Sequence, residues 1–114
     1  MKTFEDLQFT AHHHVNGGVQ AHLILENGIE VSVVSMKKRP VGTYTGLYGD
    51  VNEGTYELAM FDTGGDIVPL GRWDDVLGWQ EESQITKLML EAQTDGESFV
   101  NTLVKIRETE NNNI

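Results

Sequence analysis

The stretch from Val19 to Ser35 constrains this chain most, because one hairpin register alone keeps its apolar side chains together. It reads as two alternating strands around the turn signal Glu26-Asn27-Gly28. A two-residue Asn-Gly loop pairs Glu26 with Ile29. Ile24, Ile29, Val31 and Val33 then share one face and Val19, Ala21, Leu23, Leu25 and Val34 the other, so both faces are largely apolar. A three-residue loop, with Gly28 left-handed in a G1 bulge, pairs Leu25 with Ile29 instead. Val19, Ala21, Leu23, Leu25, Ile29, Val31 and Val33 now line one face, and Gln20, His22, Ile24, Glu30, Ser32 and Val34 the other. That separation suits an antiparallel sheet covered on one side, so the three-residue loop is the predicted one.

The rest of the chain builds on this hairpin. Phe4, Leu7 and Phe9 are placed to anchor an N-terminal arm on the core. Residues 55–62 alternate as a third strand, Thr63-Gly64-Gly65-Asp66 is a turn, and residues 67–70 form a short fourth strand. Pro69 cannot donate to a ladder, so that strand belongs at an edge or ends there. Asp74 or Asp75 can cap a short turn running to Gly78. Ile85, Leu88, Met89 and Ala92 follow helical spacing between Glu81 and Gln93. Asp95-Gly96 breaks that helix, and Phe99, Val100, Leu103 and Ile106 continue the spacing to about Glu108. The expected fold is α+β: an antiparallel meander of about four strands packed against one or two C-terminal helices. It forms one domain over residues 1–108, followed by a disordered tail over 109–114.

Composition narrows the function classes. The 114 residues fit one domain. There is no cysteine, which excludes disulfides, a CxxC redox site and thiolate zinc ligation. No apolar run approaches the ~20 residues of a membrane span, and residues 1–6 lack the apolar core of a signal peptide. The expectation is a cytosolic domain without membrane contact. The formal net charge is −10, and residues 50–114 carry all of the excess. Such a field repels nucleic acid and steers the chain toward a basic partner, including a nucleic-acid-binding surface on another protein. The same charge also serves solubility.

Four clusters carry candidate chemistry. Asp62-Thr63-Gly64 at a strand end resembles the active-site loop of retroviral-type aspartic proteases, which would make Asp62 catalytic in a dimer. The chain departs from that family after the motif, where a flap and further strands are replaced by helical patterning, and the triplet also reads as a hairpin turn. His12 and His14 point the same way in an extended segment and His22 can approach them, giving three imidazoles for zinc but no fourth ligand. Lys37, Lys38 and Arg39, with Tyr44 and Tyr48, stand in a glycine-rich loop over residues 37–54 that could take a nucleotide phosphate. No phosphate-cradling glycine motif accompanies them, and lysines at a sheet edge also guard against aggregation. Trp73, Asp74, Asp75 and Trp79 combine large aromatics with paired carboxylates, which suits acid–base work; such a segment more often docks its aromatics on the core while one Asp caps a turn, and a tryptophan left exposed becomes an interface anchor. No GxSxG, HExxH or EF-hand pattern is present, and no cofactor is called for.

Gly18-Val19-Gln20-Ala21, Glu26-Asn27-Gly28, Ser32-Val33-Val34, Tyr56-Glu57-Leu58-Ala59 and Asp74-Asp75-Val76-Leu77-Gly78-Trp79, followed by a methionine-containing helix, resemble small uncharacterised accessory proteins of tailed bacteriophages. The resemblance covers roughly residues 4–92 and brings no catalytic residues with it. It implies an accessory protein made in the cytoplasm of an infected bacterium. Joined to the charge asymmetry, it gives an expected function: a small acidic protein that binds and inhibits a bacterial host or defence protein through a nucleic-acid-mimicking surface. A nucleotide binder using the 37–54 loop is the alternative, and an Asp62 or histidine–zinc hydrolase the third reading. Either a monomer or a homodimer fits the sequence.

Overall fold

The computed structural model describes residues 1–37 and 46–112, with side chains up to residue 110. Five strands form one antiparallel sheet in chain order: β1 (Thr10–Ala11), β2 (Gly18–Ile24), β3 (Glu30–Met36), β4 (Thr55–Phe61) and β5 (Leu77–Glu81). One helix, α1 (Glu82–Asn112), follows. The architecture is the expected α+β meander under a C-terminal helix.

The β2–β3 hairpin takes the three-residue loop. Leu25 N–H donates to Ile29 O at 2.8 Å and Gly28 N–H to Leu25 O at 2.9 Å, with Gly28 at φ 89°. Ala21, Leu25, Ile29, Val31 and Val33 are buried in the core, while His22 and Ile24 on the opposite face are exposed. Leu58 and Met60 of β4 lie opposite Val33 and Val31 and extend the apolar face.

Helix α1 covers that face with Ile85, Met89 and Ala92, all fully buried. Its axis breaks at Gly96, whose φ of 23° and ψ of −96° lie outside the helical region. Beyond the break, Phe99, Val100 and Leu103 still pack against the core cluster. Asn27 Nδ2 donates to Ala92 O at 2.8 Å and ties the hairpin turn to the helix just before the kink. A Cβ on Gly96 would stand 3.2 Å from that same Nδ2, so the bend and the tie require a residue without one. The N-terminal arm is anchored as expected. Leu7 enters the core, Phe4 and Phe9 stack around Tyr56, and Lys2 exchanges two hydrogen bonds with the Gln93 side chain.

Three strand assignments change, the first being the two-residue β1 within the expected N-terminal arm. Residues 67–70 contribute only an isolated bridge, Phe61 to Ile67, together with a Val68 N–H to Met60 O bond, so Pro69 ends the pairing before a strand forms. The fifth strand lies instead at Leu77–Glu81, where the sequence suggested a turn to Gly78. There Tyr56 pairs with Gln80 and Leu58 with Leu77, so Glu57 faces both Gly78 and Trp79. This two-against-one bulge breaks the alternation by which a strand is recognised. The sheet edges are therefore β1 and β5.

Candidate functional site

The bulge in β5 organises the most unusual local geometry in the molecule. Trp79 has φ 55°, the only positive φ on a non-glycine residue among those described. A bulky residue held left-handed stores backbone strain, which persists only where surrounding contacts fix it. Here Trp79 N–H donates to Tyr48 O at 2.7 Å, and Tyr48 lies over Gly78 so closely that a Cβ there would be 2.6 Å from Tyr48 Cβ. The Tyr48 N–H in turn donates to the Glu57 side chain. Residues 47–50 thus lie on the sheet rather than hanging as a loop, with Leu47 buried and Asp50 bridging to Met36. Burial pushes the half-buried Glu57 carboxyl above its ordinary value, and the nearby Asp74 charge pushes the same way, against the Tyr48 hydrogen bond.

Next to this lies the 69–75 turn, and Arg107 of α1 holds it from beneath. Its Nη1 donates to Asp75 Oδ1 at 2.8 Å, and its Nη2 to Gly71 O at 2.6 Å and Asp74 O at 2.9 Å. The turn closes on itself through Gly71 N–H to Asp74 O and Leu70 N–H to Asp75 O. At its tip Trp73 is 71% exposed, with the Arg72 guanidinium 4.9 Å above its ring and Arg72 paired to Glu110 at 3.3 Å. Trp79 is 50% exposed. Tyr48, Glu57, Asp74 and Trp79 therefore belong to one neighbourhood, and the Asp75 side chain accepts from Arg107.

The other sequence candidates take local roles. Asp62 Oδ1 accepts from Gly64 N–H at 2.9 Å and Asp66 N–H at 3.0 Å, so its carboxylate closes its own turn. The turn borders a groove of about 540 Å3 that Asn27, Glu97 and Asn101 also line. His12 Nδ1 accepts two backbone N–H groups, His14 lies edge-on to it at 6.1 Å between ring centroids, and His22 sits 3.3 Å from Glu30. Among the described residues no group of three or more His, Asp or Glu side chains is arranged to hold a metal ion, so His12, His14 and His22 do not form a zinc site. His12 Nδ1 is occupied by main-chain N–H groups and His22 Nδ1 by the Glu30 carboxylate. Lys37 is exposed and joins the β1–β2 loop through its N–H to Gly17 O. Lys38, Arg39 and Tyr44 lie outside the described residues.

Two residues of this neighbourhood, Glu57 and Arg107, were not singled out by sequence. Arg107 carried a signal, because it falls at helical spacing on the Val100 and Leu103 face, where a charge needs a partner. Glu57 carried none, since alternation assigns it to an open sheet face and only the 47–50 segment covers it.

Comparison of the chain with known protein families, with curated proteins and with solved structures returns no match.

Proposed function

We propose that this chain is a small acidic binding protein that uses Trp73 as an anchor on a partner with a basic surface. The observation that carries this reading is an exposed tryptophan on a turn fixed from beneath by three Arg107 hydrogen bonds. Interface hot spots are enriched in Trp and Arg, and an anchor already ordered before binding loses less entropy on docking. The charge supports the class of partner. Glu57 is half-buried but no Asp or Glu lies in the core, and 18 acidic residues stand against 8 Lys and Arg, so most of the negative charge has no basic partner.

The finer reading joins this surface to the phage resemblance. The chain is then an anti-defence or host-takeover factor, made in the cytoplasm of an infected bacterium, that occupies the nucleic-acid site of a host or defence protein. The test is a pull-down from bacterial lysate at low and high salt with the native chain and with Trp73→Ala. The expected result is a nucleic-acid-binding protein retained at low salt, released at high salt, and bound at least about tenfold more weakly by the variant. Equal retention by Trp73→Ala, or no retained protein at either salt, refutes the proposal.

A further inference from the structure

The β1–β2 loop contains a titratable latch that the binding surface does not use. His12 N–H donates to Gly18 O at 2.9 Å, and Gly18 N–H donates to Val15 O at 3.0 Å, which closes the loop at its base. Inside it, His12 Nδ1 lies 3.1 Å from both the His14 and the Val15 backbone nitrogens. A backbone N–H can only donate, so both contacts require a lone pair on Nδ1, and the neutral ring must carry its proton on Nε2. Protonated imidazole has donors at both nitrogens, and two N–H groups would then face a third. We propose that His12 is an acid-operated latch: its neutral ring holds the 12–17 loop closed on β1, and protonation releases that loop.

The surroundings sharpen the response. Partial burial of the ring opposes its protonation most, and the neighbouring His14, His13 and His22 oppose it further, so His12 gains its proton below the ordinary histidine range. Glu30, on the same sheet face as His22, is 3.3 Å from His22 Nδ1. Lys37 meets the loop through its main chain, its N–H donating to Gly17 O at 2.8 Å. Opening would loosen β1, two residues long, which pairs only with Val19 and Gln20 of β2. The acid form therefore exposes the outer edge of β2, while the Arg107–Trp73 neighbourhood at the opposite edge is untouched.

Amide hydrogen exchange of Val15, corrected for the intrinsic rate, tests this between pH 7.5 and pH 5. Protection should fall by at least about fivefold, the factor set by one lost hydrogen bond. His12→Asn supplies a side-chain oxygen that accepts the same N–H groups without titrating, and should keep Val15 protected throughout. His12→Ala should expose Val15 at every pH, and His13→Asn, which removes one of the charges that opposes the His12 proton, should keep the acid response with its midpoint moved to higher pH. Constant protection of Val15 in the native chain, or the same acid response in His12→Asn, overturns the latch.

Discussion

Replacing Arg107 by alanine should cost about 3 kcal/mol of stability and free the Trp73 turn. The figure follows from its three acceptors. Hydrogen bonds to a charged donor contribute about 1.5–3 kcal/mol each when buried. The guanidinium side chain is 23% exposed, however, and Asp74 is exposed, so water can replace part of each bond. About 1 kcal/mol per bond is the discounted value. Truncation also strips the aliphatic stem, which lies beside Leu103 and Leu70 along the groove at the end of the helix. Arg107→Lys keeps the charge and the stem but presents a point donor in place of a fork, so it should recover only about 1 kcal/mol.

Urea denaturation of the native chain and the two variants measures the stability difference. Heteronuclear NOE values of the Trp73 amide measure the order of the turn on the picosecond to nanosecond scale. The expected pattern is a loss of about 3 kcal/mol with a sharp drop in Trp73 order in Arg107→Ala, and an intermediate result in Arg107→Lys. A loss below about 0.5 kcal/mol, the range of an ordinary surface substitution, refutes the pinning argument. So does a full loss of stability with Trp73 order unchanged, because the turn would then be held by its own backbone bonds.

Two further outcomes follow from local geometry. The Glu57 carboxyl titrates above its ordinary 4.5 because burial and Asp74 disfavour its charge, so the folded state binds the proton more tightly than the unfolded chain. Stability is then lost as pH rises from 4.5 through the raised folded value, and Glu57→Gln, which still accepts the Tyr48 N–H, should be more stable than the native chain at pH 7 and equal to it in acid; urea midpoints at both pH values check this, and no gain at pH 7 would contradict it. Gly28→Ala places a Cβ at φ 89° and 3.0 Å from Thr63 Cγ2, so it should cost about 1–3 kcal/mol by thermal denaturation, and an unchanged midpoint would show that the hairpin turn is not fixed at that residue.

The parts of the fold legible in the sequence are those governed by short-range periodicity. The hairpin register followed from the two faces of Val19–Val34, and the helix break from Asp95-Gly96, because each depends on residues a few positions apart. Strand β5 was hidden because its bulge puts Gly78 and Trp79 opposite the single residue Glu57, which erases the alternation. Strand β1 was hidden by length, since two residues hold no pattern. At the site, Trp73 and Trp79 were visible as large side chains in a polar setting. The left-handed backbone at Trp79 and the covering of Glu57 were not, because both arise from the Tyr48 segment crossing the sheet.

The exposure of Trp73 is not a by-product of packing. The first half of α1 supplies Ile85, Met89 and Ala92, which with the apolar face of β2, β3 and β4 make a closed core. The second half finds its partners in the 69–75 turn, where Leu70 packs on the core and Arg107 takes up the Gly71 and Asp74 carbonyls. Each contact that the fold needs from this turn is made by Leu70, Gly71, Asp74 or Asp75. Trp73 contributes none of them, yet it is the largest side chain in the segment and its position is fixed on both sides. Part of the charge is used locally, Asp75 by Arg107, Asp62 by its own turn and Glu57 by the Tyr48 N–H, but 18 acidic residues against 8 basic ones leave a large excess that these contacts do not employ. A chain that orders an exposed tryptophan and keeps most of its excess negative charge outside the core presents two features that the basic partner proposed above would use together.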